Sequence, residues 1–326
     1  MKILILGSGS FAGQLLFSHY LSNGENVIGI NRSAPKDSAR WPWVKNIHNF
    51  EDIWYQYDLI NSLDSIIEVT KQFQPEIIID FLGEGMVAPS WKRPELWYET
   101  NLTKKAKLLN SFLSLNNLRK YIRASTPEVY GSNVDFQNEE SGFNPSTPYA
   151  VSHSAIDMHL RCLGNQYKFP YVIGRYANFY GVGQQLYRVI PKLFLCCLSR
   201  KKFVLDGGGK SSRSFIFSKD IITSFEAMIN LSEPFREYNF SSNEEVTILN
   251  LVNQICDLTK VDRSEIIING PERPGKDMFY RLDISKSKSI LNWEPSVKLL
   301  TGLIEVKDWI SNSFNQLAKI PWDYKG

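Results

Sequence analysis

No run in this sequence approaches the roughly 20 apolar residues needed to cross a bilayer; the longest candidate, Leu193–Leu198, is far too short. The first six residues carry one charge and lead straight into Gly7, which is not the pattern of a secretory leader, so the expected location is the cytoplasm. Cysteine is scarce. Cys162, Cys196, Cys197 and Cys256 show neither CxxC nor Cys/His spacing, so neither a zinc site nor a disulfide framework is expected and no metal ligand set is assigned. Charge of one sign is scarce too. A net +3 is too small for a nucleic-acid footprint, although an anionic small ligand needs only two or three local arginines. With 43% hydrophobic and 22% charged residues the chain is neither disordered nor low in complexity, and 326 residues suffice for a large α/β unit with a smaller lobe.

Short apolar β-type runs alternate with helical patterns through the first half. Strands are expected at Lys2–Leu6, Asn26–Ile30, Ile77–Phe81, Lys120–Ala124 and Tyr171–Arg175, and helices at Phe11–Asn23, Leu63–Phe73, Leu96–Leu115 and Pro148–Lys168. Continuous apolar strands joined by crossover helices predict a Rossmann-type doubly wound parallel sheet. Beyond residue 176 the pattern breaks up. Helices are expected at Pro191–Arg200, Asp220–Leu231 and Ile248–Thr259, with strands at Ser214–Phe217 and Glu237–Ser241. The expected division is a dinucleotide domain over residues 1–176, with a return segment near 214–240, and a smaller α/β substrate lobe over 177–326.

The first strand ends in Gly7-Ser8-Gly9-Ser10-Phe11-Ala12-Gly13 and opens a helix. Glycines there let backbone amides approach a pyrophosphate on the positive helix end, so Gly7, Gly9, Ser10, Phe11 and Gly13 are expected to bind a dinucleotide. The second strand ends at Asn31-Arg32-Ser33. An acidic residue in this place would hold the ribose hydroxyls of NAD; Asn31 removes that repulsion and Arg32 with Ser33 suits a 2′-phosphate, favouring NADP over NAD.

Ser125-Thr126-Pro127-Glu128-Val129-Tyr130-Gly131 follows the Lys120–Ala124 strand, placing Thr126 and Glu128 at the sheet edge where α/β proteins bind ligands. Pro148-Tyr149-Ala150-Val151-Ser152-His153 reads as a helix start with Tyr149 and His153 on one face, four residues apart. Together with the glycine loop, these motifs resemble the extended short-chain dehydrogenases/reductases. Asn178-Phe179-Tyr180-Gly181, Ile190-Pro191, Arg213-Ser214-Phe215-Ile216 and Arg273-Pro274-Gly275-Lys276-Asp277 extend the likeness nearly end to end, towards nucleotide-sugar 4,6-dehydratases of the dTDP-glucose type.

The resemblance implies that Tyr149 takes a proton from the sugar 4-hydroxyl, held by Thr126, while hydride leaves for nicotinamide. It implies that Glu128 takes the C5 proton before water leaves from C6, that Arg188, Arg213 and Arg273 face the diphosphate of a nucleotide sugar, and that Asn178 contacts its diphosphate or its sugar, with Glu84 and Ser90 nearby. Two residues depart from the pattern. The lysine four places after the tyrosine is His153, which would have to be protonated to supply the same charge; the acid before the glutamate is Pro127, leaving Glu128 to serve both proton steps or no elimination to occur. The expected function is a 4,6-dehydratase. A C4 reductase, dehydrogenase or epimerase is the alternative, and a catalytically impaired nucleotide-binding protein a further one. The resemblance also implies a homodimer, with the 96–115 and 148–168 helices paired in a four-helix bundle; Leu108, Leu109, Phe112 and Leu115 form a stripe that either this contact or the chain's own core would explain.

Overall fold

A computed structural model describes residues 1–47, 50–272 and 277–324. Its twelve strands are β1 (Lys2–Leu6), β2 (Asn26–Asn31), β3 (Trp54–Gln56), β4 (Ile77–Asp80), β5 (Lys120–Ser125), β6 (Tyr171–Tyr176), β7 (Asn178–Tyr180), β8 (Phe203–Asp206), β9 (Ser212–Phe217), β10 (Arg236–Phe240), β11 (Glu245–Thr247) and β12 (Ile267–Gly270). Seven of them form one parallel sheet in the order β10-β6-β5-β4-β1-β2-β3. The order reverses between β1 and β4, and the crevice at the carboxyl ends of those strands is where such sheets take ligands. Smaller sheets, β11-β9-β7 and β12-β8, support the C-terminal lobe.

Alternation along the strands separates two faces. Ile3, Ile5, Ile122 and Val172 pack with the helices Phe11–Ser22 and Ser218–Leu231. Leu4, Leu6, Tyr121 and Ile173 pack with Lys105–Phe112 and Pro148–Tyr167. The stripe Leu108, Leu109, Phe112 and Leu115 is buried in this second layer, so it is core of the chain itself and leaves nothing for a dimer contact. The helix expected over 96–115 runs unbroken over 94–112, with Pro94–Tyr98 and Lys105–Phe112 α-helical and a π-helical stretch, Glu99–Lys104, between them. Such turns commonly re-aim side chains beside functional sites. Here the turn points Asn101 at the loop after β4, where it accepts from the Glu84 amide at 2.7 Å and donates to the Glu84 carbonyl.

The second layer is not uniformly apolar. Arg123 of β5 and Arg175 of β6 sit fully buried on it, and Asp157 of the Pro148–Tyr167 helix lies between them at 2.9 and 3.2 Å. Arg175 continues to Glu237 of β10 (2.7 Å), which also takes Arg161. On the other side Asp80, at the end of β4, holds Lys105 at 2.7 Å and faces Arg123 at 3.6 Å. Four neighbouring strands are thus tied through charges that water does not reach. Breaking one partner of such a network leaves a stranded charge, which costs about 3–5 kcal/mol. Asp157→Ala is therefore expected to lower the urea midpoint sharply, and exposed Lys107→Ala to leave it nearly unchanged; equal midpoints for the two variants would contradict this reading.

Candidate active site

The loop after β1 is built for close backbone approach. Gly7 adopts φ +75°, and a Cβ there would lie 2.8 Å from the Phe81 backbone; at Gly9 it would lie 2.2 Å from the Asn31 side chain, and at Gly13 2.3 Å from the Gly7 carbonyl. Ser10 caps the Phe11–Ser22 helix by accepting from the Gly13 amide at 3.0 Å. Ser8 Oγ is buried without a hydrogen-bond partner in the structure. A glycine cradle, an orphaned hydroxyl and a helix N-terminus together fit the pyrophosphate of a dinucleotide. At the β2 edge, Asn31 donates to the Ser33 carbonyl and hydroxyl at 3.0 Å each, and Trp54 donates to the same carbonyl. Arg32 pairs with Glu84 at 2.9 Å. Lys36 lies close enough to Arg40 and Arg32 for their charges, after burial, to lower its pKa.

A cleft of about 1190 Å³ opens over the C-terminal ends of β1, β4, β5 and β6 and runs under the C-terminal lobe. Its wall holds Ser10, Phe11, Glu84, Thr126, Glu128, Tyr149, His153, Asn178, Arg188 and Arg213, so most of the residues picked from the sequence meet in one place. The volume exceeds a site for one small molecule. Ser90 does not reach the cleft. It is fully buried, donating to the Val87 carbonyl and accepting from the Tyr149 amide, so it steadies the helix start instead of meeting a substrate. Arg273 lies outside the described residues.

Thr147 caps the Pro148–Tyr167 helix by accepting from the Ala150 amide, and Pro148 occupies its first turn. This presents Tyr149 to the end of β5, where it is hydrogen-bonded to Thr126. Burial, with the Glu128 carboxyl behind it, pushes the phenol well above its ordinary value of 10; the Thr126 bond, Arg188 and Arg123 act the other way. The rings of Tyr149 and His153 lie 4.5 Å apart. His153 Nδ1 is 3.0 Å from an Arg123 amino group. A guanidinium only donates, so Nδ1 must accept and the imidazole is neutral, with its proton on Nε2. Burial, Arg123 and Lys105 all depress the His153 pKa. The protonated imidazole that His153 would need to stand in for lysine is not what this site holds: the cation lies one step behind, on Arg123.

Pro127 begins a short 3₁₀ turn, Pro127–Tyr130, capped by Thr126, and Gly131 closes it with φ +74°. The proline thus serves the turn and contributes no acid. Glu128 in that turn is buried, and its Oε2 is without a hydrogen-bond partner in the structure. Burial and Asp277 raise its pKa from 4.5 to about 7, against the pull of Arg213, a bond from Tyr280, and Arg188. A carboxyl so poised takes and returns protons at neutral pH. Tyr280 and Arg123 escaped the sequence reading. Tyr280 sits three residues beyond the Arg273–Asp277 motif with no feature to mark it, whereas an arginine amid an otherwise apolar strand was a usable signal for Arg123.

Arg213 is nearly buried, donating to the carbonyls of Ser212, Asp277 and Met278 and lying over the Tyr280 ring at 4.2 Å. Its charge still reaches Glu128. Further along the cleft, Phe203–Asp206 and Trp322 form the wall, with Lys201 over the Trp322 ring at 4.6 Å.

A parallel sheet with this strand order, a glycine cradle after β1 and a Thr–Tyr pair joining β5 to the next helix defines a Rossmann-fold enzyme of the short-chain dehydrogenase/reductase class. The profile of a family described as GDP-mannose 4,6 dehydratase matches residues 4–306. dTDP-D-glucose 4,6-dehydratase of Homo sapiens is 31% identical, the match covering 98% of this chain and 92% of that protein; the Bos taurus protein is also 31% identical, over 96% and 90%. The chain belongs to this family of extended short-chain dehydrogenases/reductases that modify nucleotide sugars. Among solved structures, UDP-glucose 4-epimerase of Thermotoga maritima with UDP-glucose superposes with a TM-score of 0.87 at 24% identity, covering 96% of this chain and all of that one. dTDP-glucose 4,6-dehydratase of Streptomyces venezuelae with NAD and TYD bound gives 0.86 at 23%, covering 96% and 97%. These two show the fold.

The raised Glu128 pKa has a consequence for stability. Between pH 4.5 and about 7 the folded chain keeps a proton that the unfolded chain has released, so this group's contribution falls as pH rises through that window and stays unfavourable above it. Glu128→Gln is expected to stabilise the protein by about 1–3 kcal/mol at pH 8 and by much less at pH 5. Scanning calorimetry at both values checks this, and an equal change in Tm at the two would contradict it.

Proposed function

We propose that this enzyme is an NADP-dependent nucleotide-sugar 4,6-dehydratase. The observation that carries the reading is Glu128: a buried carboxyl in the cleft wall, pushed up to about 7, within the turn that Thr126 caps. When bound, the nicotinamide takes a hydride from a sugar carbon and gives one back. Thr126 holds the sugar 4-hydroxyl and Tyr149 accepts its proton. With C4 a ketone, the C5 proton is acidified; Glu128 removes it and, now protonated, delivers it to the C6 hydroxyl as water leaves, and the double bond left is saturated by the returned hydride at C6 and by a solvent-derived proton that Glu128 passes to C5. One carboxyl serves both transfers, which accommodates Pro127 where the resemblance led us to expect an acid. Residues 1–176 with the 214–240 return segment bind the dinucleotide and residues 177–326 the nucleotide sugar. Asn178, Arg188, Arg213 and Arg273 supply the diphosphate side, and Glu84 the sugar side.

The preference for NADP rests on the β2 edge. Asn31 offers no carboxylate to repel a 2′-phosphate, and in the segment that follows it the charges of Arg40 and Arg32 both reach Lys36. The Arg32–Glu84 pair is largely exposed on the arginine side and gives way at little cost. The enzyme also pairs with a second copy through the exposed face of the Pro148–Tyr167 helix, where Val151, Met158 and Cys162 recur at i, i+7 and i+11. A monomer in sedimentation equilibrium would contradict that pairing.

Incubation with a panel of nucleotide sugars, each with NADP and with NAD, tests the reading. Product lighter by one water, no net cofactor consumption and at least about tenfold tighter binding of NADP are expected. Glu128→Gln should lower water loss by about a hundredfold or more while sparing cofactor reduction. Stoichiometric cofactor consumption with no water lost, or inversion at C4, would assign the enzyme to the reductases or epimerases; binding without turnover would make it a nucleotide-binding protein only.

A further inference from the structure

Tyr149 needs a fixed positive charge to work as a base, because a free phenol ionises near 10 and this one is half-buried beside a carboxyl. His153 does not supply that charge, since its Nδ1 accepts from Arg123. The groups around the pair come from several elements. Glu128 and Arg188 face Tyr149 from the 3₁₀ turn and the loop before the Val189–Ser199 helix, and Arg123 acts on both rings from β5. Lys105 faces His153 from its own helix. Arg123 cannot swing away: Asp157 holds its Nε at 2.9 Å, Asp80 lies 3.6 Å from a second nitrogen, and the side chain is 1% exposed. Traced through its ion pairs, the network holds four cations (Arg161, Arg175, Arg123, Lys105) against three anions (Glu237, Asp157, Asp80). Of these cations Arg123 is the one whose amino group reaches His153, and its charge acts on Tyr149 as well.

We propose that Arg123 is the positioning residue of the active centre: its guanidinium locks His153 as the neutral Nε2–H tautomer beside Tyr149 and supplies, from behind the imidazole, the fixed positive charge that favours the phenolate. Arg123 touches neither substrate nor cofactor and acts through His153 and through space. His153, which lines the cleft, keeps Nε2–H as a donor on the side away from the arginine. Division of labour follows, with the hydrogen bond on one residue and the charge on another.

This deepens the proposed function and rests on Tyr149 being the base, so the first experiment avoids turnover. Nitrogen-15 NMR of histidine-labelled wild-type protein, with His153→Gln to assign the resonance, should show one bare nitrogen at Nδ1, a proton on Nε2, and no titration between pH 6 and 8. A ring that titrates near its ordinary value, or that carries its proton on Nδ1, overturns the proposal whatever the activity. The second experiment follows single-turnover cofactor reduction by a nucleotide sugar against pH. Arg123→Met should move the acid limb about one pH unit upward, with roughly tenfold slower reduction at pH 7 and unchanged KM, while Arg123→Lys recovers most of the rate. A loss uniform across pH, with the limb in place, also overturns it. The NMR result needs no variant at Arg123 and stands if Arg123→Met fails to fold. The expected tautomer in a protein that reduces no cofactor with any sugar would support the Arg123 lock and refute the proposed function instead.

Discussion

The ion pairing of Arg123 with Asp157 is the contact on which the active centre depends. Asp157 lies two turns beyond Tyr149 on the Pro148–Tyr167 helix, and Arg123 lies on β5, three residues before Thr126. Joining them fixes that helix against that strand, and with it the approach of Tyr149 to Thr126. The same aspartate reaches Ser125 Oγ at 2.8 Å and Arg175 of β6, so strand end, helix and neighbouring strand share one anchor. Buried charges of this kind add little net stability compared with a well-packed apolar core, because desolvation offsets most of their attraction. Their contribution here is geometric: a slip of the helix by one residue would strand several charges at once.

Electrostatics set up by burial then divides the chemistry. Glu128 is pushed up to about 7 by burial and Asp277, which suits a group that both takes and gives a proton. The same burial drives Tyr149 upward and His153 downward, so neither ring carries charge by itself. The correction to the lysine stand-in follows from this. A lysine at position 153 would combine a hydrogen-bond donor and a cation in one side chain, whereas here the donor is an imidazole and the cation a buried guanidinium. Substituting Pro127 for an acid costs the turn nothing, since proline suits its first position.

Much of this architecture was legible in the sequence because parallel strands covered on both faces are continuous apolar runs, and those bounding the cleft stood out. The glycine loop, Thr126 and Glu128 could be placed at strand ends and Tyr149 with His153 on one face of a helix start from the residue pattern, whereas their roles came from the family resemblance. Shorter elements could not. Trp54–Gln56 and Asn178–Tyr180 are three residues long and become strands through tertiary pairing with β2 and β9. Ser90 was placed near the substrate by the family resemblance alone, and its hydroxyl is engaged by backbone on both sides. The stripe at Leu108 to Leu115 carries the same periodicity for a core as for an interface, and only burial separates them. Arg123 was passed over because it lies inside a strand read for its apolar neighbours; its partner Asp157 is 34 residues away, beyond the reach of local pattern.

The central claim is that Glu128 alone handles the proton at C5 after Tyr149 opens the reaction at C4. Running the reaction in deuterium oxide and reading the product by NMR tests it most directly. Deuterium is expected at C5 together with a new methyl group at C6, with both signals lost in Glu128→Gln. A methyl product formed at the wild-type rate by that variant, or a wild-type product with protium retained at C5, would contradict it.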